Sequence, residues 1–220
     1  MKRIMIALMS LVLTVPALAQ PGRPSYYNRP VHDDFRHSGI ADIYYGLRLG
    51  VGVATVSSDD HRLDGGSAKA GLDIGAVVGF QLGFRSPVYL ETGLYYIEKG
   101  GKGKNEGTNF TYNLDYLELP LVLKYAIDIN NDFNIQPFFG GYLALGVAGK
   151  IKDFGHRQAY SSFDDEGFQR FDGGIRLGCG VEYEFLYAEL GYDFGLANIS
   201  HDYFDTSHTG TFFATIGVNF

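Results

Sequence analysis

Tryptophan is absent from the 220 residues, cysteine occurs once and methionine three times. One cysteine excludes an internal disulfide and any multi-cysteine metal site. Cys179 sits in an apolar file and reads as a small packed hydrophobe. No basic run is present and the net charge is −7, which disfavours nucleic-acid binding or any role built on a basic patch. Beyond the N-terminus no continuous apolar stretch approaches the roughly 20 residues of a spanning helix. Phosphate-cradling glycine loops are missing too, because the glycines repeat at strand period and precede no helix.

What the chain has in quantity is glycine (30), phenylalanine (17) and tyrosine (16). Glycine is poor helix material while the aromatic residues favour strands, so an all-β chain is expected. Residues 1–19 read as a secretory signal peptide: Lys2 and Arg3, an apolar Ile4–Val15, then Ala17-Leu18-Ala19 before Gln20. No cysteine follows that cut, which excludes a lipoprotein anchor. Residues 20–42, with Pro21, Pro24 and Pro30 among Gly, Asn, Arg and His, read as a flexible periplasmic tail.

From residue 43 to 220 the sequence falls into eight alternating runs: Ile43–Val56, Ala70–Arg85, Pro87–Lys99, Leu114–Ile127, Phe133–Gly149, Phe168–Tyr183, Phe185–Ile199 and His208–Phe220. Each exceeds the usual strand of about 5–6 residues and meets the roughly 9–11 that a tilted strand needs to cross a bilayer. Short connections, at Ser86, Asp128–Asp132 and Glu184, alternate with long polar ones at Ser57–Lys69, Gly100–Asn113, Lys150–Gly167 and Ser200–Ser207. Short turns at one end and long loops at the other are the asymmetry of outer-membrane barrels. The expectation is an eight-stranded antiparallel up-and-down transmembrane β-barrel in the cell outer membrane, with both termini in the periplasm.

Alternation leaves open which face is inside. One file of each run is apolar, for example Leu117, Leu119, Leu121, Leu123 and Tyr125. The complementary files hold Arg48, Asp73, Arg85, Glu91, Glu118, Lys124, Arg170, Asp172, Arg176, Glu182, Glu189 and Asp193, together with much of the glycine. A lipocalin-like soluble barrel would put these charges outside. An eight-stranded barrel has an interior that side chains just fill, so long charged residues inside need small neighbours, and glycine supplies the room. Lipid outside is therefore favoured, with the charges forming an internal polar network. Glu118 and Lys124 are expected to join an internal ion-pair network with Arg48, Arg85 or Arg176, since unpaired buried charge is costly. Pro120, which cannot donate to a ladder, is expected at a bulge. Tyr45, Tyr96, Tyr125 and Tyr192 stand near the ends of outward files as an interfacial girdle.

Four stretches carry a resemblance: "YLELPLVLKY" (Tyr116–Tyr125), "YYIEKGGK" (Tyr95–Lys102), "DGGIRLGCGVEYE" (Asp172–Glu184) and "LGYDFGLANIS" (Leu190–Ser200). Over roughly Tyr45 to Phe220 the chain resembles the PorT-like outer-membrane β-barrel proteins. The resemblance implies an outer-membrane barrel and, for the eponymous member, a part in type IX secretion. The ending at Phe220 similarly resembles the signal read by the barrel assembly machinery.

Catalytic chemistry finds little support. His61, His156, His201 and His208 lie in or beside long connections, near Asp59, Asp60, Asp64, Asp164, Asp165, Glu166, Asp202 and Asp205. Ser200-His201-Asp202 are chain neighbours, which does not make a nucleophile–base geometry. The acidic clusters lack the spacing of a calcium loop, and Asp128–Asp132 is explained by turn propensity. No catalytic, cofactor-binding or metal residues are assigned. The expected partners are outer-membrane lipid, the assembly machinery during biogenesis, and other outer-membrane or periplasmic proteins. The expected function is non-enzymatic, structural or secretion-associated. Binding through the long external loops is the alternative, and a lipid-modifying enzyme a more distant third.

Overall fold

The computed structural model describes residues 40–58, 68–83, 86–105, 108–130, 132–152, 160–162, 169–197 and 207–220. The signal segment, most of the tail, Arg85, His61, His156, His201 and the acidic loop clusters lie outside the described residues.

Eight long strands form the wall: β1 (Ile40–Ser58), β2 (Lys69–Leu82), β3 (Val88–Asn105), β4 (Thr108–Tyr125), β5 (Phe133–Ala148), β6 (Phe171–Tyr183), β7 (Leu186–Gly195) and β8 (Ser207–Asn219). Each pairs antiparallel with its chain neighbours. β8 returns to β1 from Gly46↔Asn219 to Ser58↔Ser207. The result is a closed up-and-down β-barrel. Closure matters energetically, because an open edge inside a bilayer would leave backbone groups without partners.

The two faces of the wall differ as the two files of the sequence do. On β4, Leu119, Leu121 and Leu123 are 49–52% exposed while Glu118 and Lys124 are 0% and 1% exposed. The same split recurs around the wall, with Tyr45, Leu94, Leu143, Leu190 and Ile216 exposed and Arg48, Glu91, Arg176 and Glu189 buried. Outward aromatics collect toward the tight-turn end at Tyr45, Tyr125, Tyr183 and Phe185, and toward the other end at Phe171, Phe194 and Phe212.

Three details depart from the sequence reading. First, Gly100–Asn113 is not a long loop: β3 runs on to Asn105 and β4 starts at Thr108, paired throughout from Lys99↔Leu114 to Asn105↔Thr108. Its glycines look like breakers, yet Gly101 is where the Tyr112 ring packs, and a Cβ there would strike that ring. Short strands Lys150–Lys152 and Tyr160–Ser161 add to the same hairpin. Second, β2 stops at Leu82 and β7 at Gly195, short of Arg85 and Ile199. Gly83, with φ of +89°, begins the turn into β3. Third, Pro120 lies in regular register, opposite Tyr142, and the register shift falls between Asp115 and Tyr116. Its carbonyl accepts a hydrogen bond from Thr92 Oγ1 at 2.7 Å, so the proline is absorbed without an extra residue.

Candidate functional site

Alternation aims every second side chain at the barrel axis, and the lumen is narrow enough for residues of distant strands to meet. Nearest the loop end, Lys99 of β3 reaches Glu118 at 3.0 Å and Asp172 at 3.4 Å. Thr209 Oγ1 donates to the same Asp172 at 2.9 Å. Just below, Arg176 of β6 places Nε and Nη2 on the two Asp193 oxygens at 2.7 Å each, while Nη2 also contacts Glu118. This forked geometry is the strong form of a buried charge pair.

A second cluster fills the half toward the tight turns. Lys124 lies 2.8 Å from Glu91 and 3.6 Å from Glu189, and it donates to Tyr187 Oη at 2.6 Å. Tyr187 in turn donates to Glu189 at 3.0 Å, and Tyr44 donates to Glu91. Arg48 lies 3.6 Å from Glu91 and stacks on Tyr187 with its guanidinium carbon 4.0 Å from the ring centre. Rings thus do for Arg48 part of what carboxylates do for Arg176. At the tight-turn end, Glu182 accepts from Asn219 Nδ2 at 2.7 Å and Gln136 Nε2 at 3.1 Å.

Glycine makes these layers possible. A Cβ at Gly75 would meet the Tyr95 ring, at Gly79 the Tyr44 ring, at Gly180 the Tyr187 ring and at Gly191 the Phe213 ring. At these four positions the space freed by glycine is taken by aromatic rings, while at Gly46 it is taken by Arg48 itself. Arg176 lies 4.4 Å from the Phe213 ring centre and Lys99 lies 4.7 Å from that of Tyr142.

Of the residues read from the sequence as interior, Arg48, Asp73, Glu91, Glu118, Lys124, Asp172, Arg176, Glu182, Glu189 and Asp193 are buried. The structure gives Glu118 to Arg176 and Lys99, and Lys124 to two carboxylates. Asp73 stands apart, with neither carboxylate oxygen hydrogen-bonded among the described residues. Arg170 is exposed beside the start of β6, where it donates to the Gly146 carbonyl at 3.2 Å. It belongs to the rim, because β6 begins only at Phe171. Lys99 was missed by the sequence reading, although it shares parity with Glu91, Tyr95 and Ile97. Ending the run at Lys99 made it look like a rim residue.

No group of three or more His, Cys, Asp and Glu among the described residues could hold a metal ion. His208 is the described histidine, its Nδ1 3.1 Å from the Ala197 carbonyl. Chemically, the arrangement is a network of ion pairs bridging β3 to β6 and β4 to β7, in which four buried cations face seven buried carboxyl groups. It braces opposite walls and occupies the axis.

A family match agrees with this architecture. The "Outer membrane protein beta-barrel domain" family matches residues 19–201. No curated protein sequence matches. Among solved structures, Ail of Yersinia pestis is similar at 14% identity over 80% of this chain and 98% of its own, with a TM-score of 0.44. Neisserial surface protein A is similar at 18% identity over 83% and 99%, with a TM-score of 0.44. A major outer membrane protein from Thermus thermophilus is similar at 13% identity over 80% and 99%, with a TM-score of 0.47. With strands, closure, inverted faces and a family match over most of its length, the chain belongs to the outer membrane protein β-barrel domain family and is an outer-membrane β-barrel protein.

Proposed function

We propose that this protein is a non-enzymatic, non-conducting barrel that acts through its surfaces as a structural or secretion-associated component of the outer membrane. The observation that carries this reading is the bridged lumen: Lys99–Asp172 and Lys124–Glu189 each cross between strands three places apart in the wall. Such a barrel offers partners its wall and its two ends, with no open passage. A PorT-like part in type IX secretion, suggested by the sequence resemblance, is the finer form of the proposal. In this reading residues 1–19 are removed on export, residues 20–42 and the tight turns face the periplasm, and the long connections face outward. Protein partners are then met in the membrane or at the periplasmic tail.

The test is cross-linking and co-purification from native outer membrane, combined with deletion and a census of secreted proteins. A partner complex lost together with secreted cargo supports the secretion form. An unchanged secretome and a barrel that purifies alone would remove it. Added protease reaching the tail in intact cells would reverse the orientation.

The extended β3–β4 hairpin, joined by Lys150–Lys152 and Tyr160–Ser161, favours a second reading: a binding module displayed at the loop end. Exchanging that hairpin and the other long connections should then abolish ligand binding while the barrel still assembles. Conversion of lipopolysaccharide by the purified protein would instead revive the enzyme reading.

A further inference from the structure

The seven buried carboxyl groups of the lumen are not equally provided for by its four cations. Glu91 has Arg48 and Lys124, Glu189 has Lys124, Glu118 has Lys99 and Arg176, Asp172 has Lys99, and Asp193 has Arg176. Glu182 is met by the side-chain amides of Gln136 and Asn219. Asp73, at 1% exposure, has no ion pair and no hydrogen bond to either oxygen among the described residues. The wall residues opposite it are Gly50 and Ile97. Across the lumen, the charged groups that act on it most are Arg176, Glu118, Glu189 and Asp193. These are three carboxylates and one guanidinium, and the guanidinium is already shared by Glu118 and Asp193. An isolated carboxylate out of water is so costly that buried charge is found paired or on a bound ion.

A second unpartnered group borders the same part of the inner wall. Thr211 Oγ1 is buried, the residue being 1% exposed, and has no hydrogen-bond partner among the described residues. Between the two lies a loosely filled spot. A Cβ at Gly52 would meet the Thr211 methyl at 3.3 Å and next the Phe212 carbonyl at 4.0 Å, whereas at Gly50, Gly71 and Gly75 it would collide with neighbours. Gly52 is opposite Gly71, and Gly50 is opposite Asp73. Asp73 is therefore the diagonal neighbour of Gly52, about 7–8 Å away in the sheet. An ion over Gly52 would lie between a carboxylate and a hydroxyl. Divalent ions are held by several carboxylates, and no group of three or more His, Cys, Asp and Glu among the described residues could hold a metal ion. One carboxylate matches one positive charge.

We propose that Asp73, with Thr211 beside it, binds one small monovalent cation inside the folded barrel, either a sodium ion or a proton. The surplus of carboxyl groups in the lumen supplies the attraction. The site exists only in the folded state, because pairing of β1 with β2 and with β8 brings its parts together. Its occupant therefore stabilises the closed barrel over the unfolded chain.

The full-length barrel is folded into phosphatidylcholine vesicles and its folding constant is read by denaturant titration. In one arm sodium replaces choline at constant ionic strength and fixed pH. In the other, pH runs from about 6 to 8 at fixed sodium, above the range where exposed carboxylates titrate. Wild type is compared with D73N, D73S and E182Q, and heat-modifiable mobility is read on each; D73S stands in for D73N if the asparagine variant does not assemble. Relative to D73N, a sodium site should raise the wild-type folding constant by up to about tenfold per tenfold rise in sodium. A proton site should raise it by up to about tenfold per unit fall in pH. E182Q, which alters the other carboxyl group without a cation, should respond as wild type does. The arm that responds names the occupant. Wild type and the Asp73 variants responding alike in both arms, or a response lost in E182Q, overturns the proposal.

Discussion

Strand β4 solves two opposite solvation problems with adjacent residues. Its outward file is Leu117, Leu119, Leu121 and Leu123, all exposed; its inward file is Glu118, Pro120, Val122 and Lys124, all buried. The outward side chains need only be apolar, because a fluid solvent shapes itself around them. The inward ones must match in charge, donor count and volume, because the lumen is as tightly filled as a protein core. Specificity of packing therefore lives inside this barrel and tolerance lives outside, and the charged residues belong to the specific side.

Four substitutions probe that contrast, and all are read as the denaturant midpoint for unfolding from lipid vesicles. Arg176→Met should have the largest effect, about 3–5 kcal/mol of lost stability, because it strips Asp193 of its buried ion-pair partner and leaves Glu118 with Lys99 alone. A loss below about 1 kcal/mol would mean that water reaches these carboxylates freely. Leu121→Arg, midway along the outward file, should cost about 2–4 kcal/mol, the depth-dependent cost of a cation at the bilayer midplane. A smaller cost would place Leu121 near an interface or against another protein. Val122→Phe, one residue away and packed against Phe138 and Phe213, should cost about 1–3 kcal/mol through overpacking. Leu121→Phe, a comparable enlargement on the other face, should stay within about 0.5 kcal/mol of wild type. Equal costs for these last two would erase the distinction between a packed inner face and a fluid outer one.

The same distinction explains what could be read from the sequence. Parity is a local property, so Leu121 and Val122 could be assigned to opposite faces from alternation alone, and the inversion of the faces followed from where the glycines and charges fell. Pairing across the lumen is not local. Whether Glu118 would meet Arg48 or Arg176 depends on stagger between strands, which no single strand records. Lys99 was legible by parity but was hidden by Gly100 and Gly101, which look like the start of a loop until Tyr112 is seen to pack against Gly101. The inward rings of Tyr44, Tyr95 and Tyr187 were legible in the same way. The expectation that glycine makes room for charges overlooked the rings that cushion them.

The seam between β1 and β8 has a consequence for how the molecule comes into being. It joins Gly46 to Asn219, nearly the first wall residue to nearly the last. Tethering ends separated by that much chain costs on the order of 4–5 kcal/mol of entropy by logarithmic scaling. No shorter precursor can form the cylinder: a polypeptide halted before Ser207 has seven staves and two raw edges. Closure must therefore wait until β8 itself has been made, which makes this thirteen-residue stave the latch of the barrel.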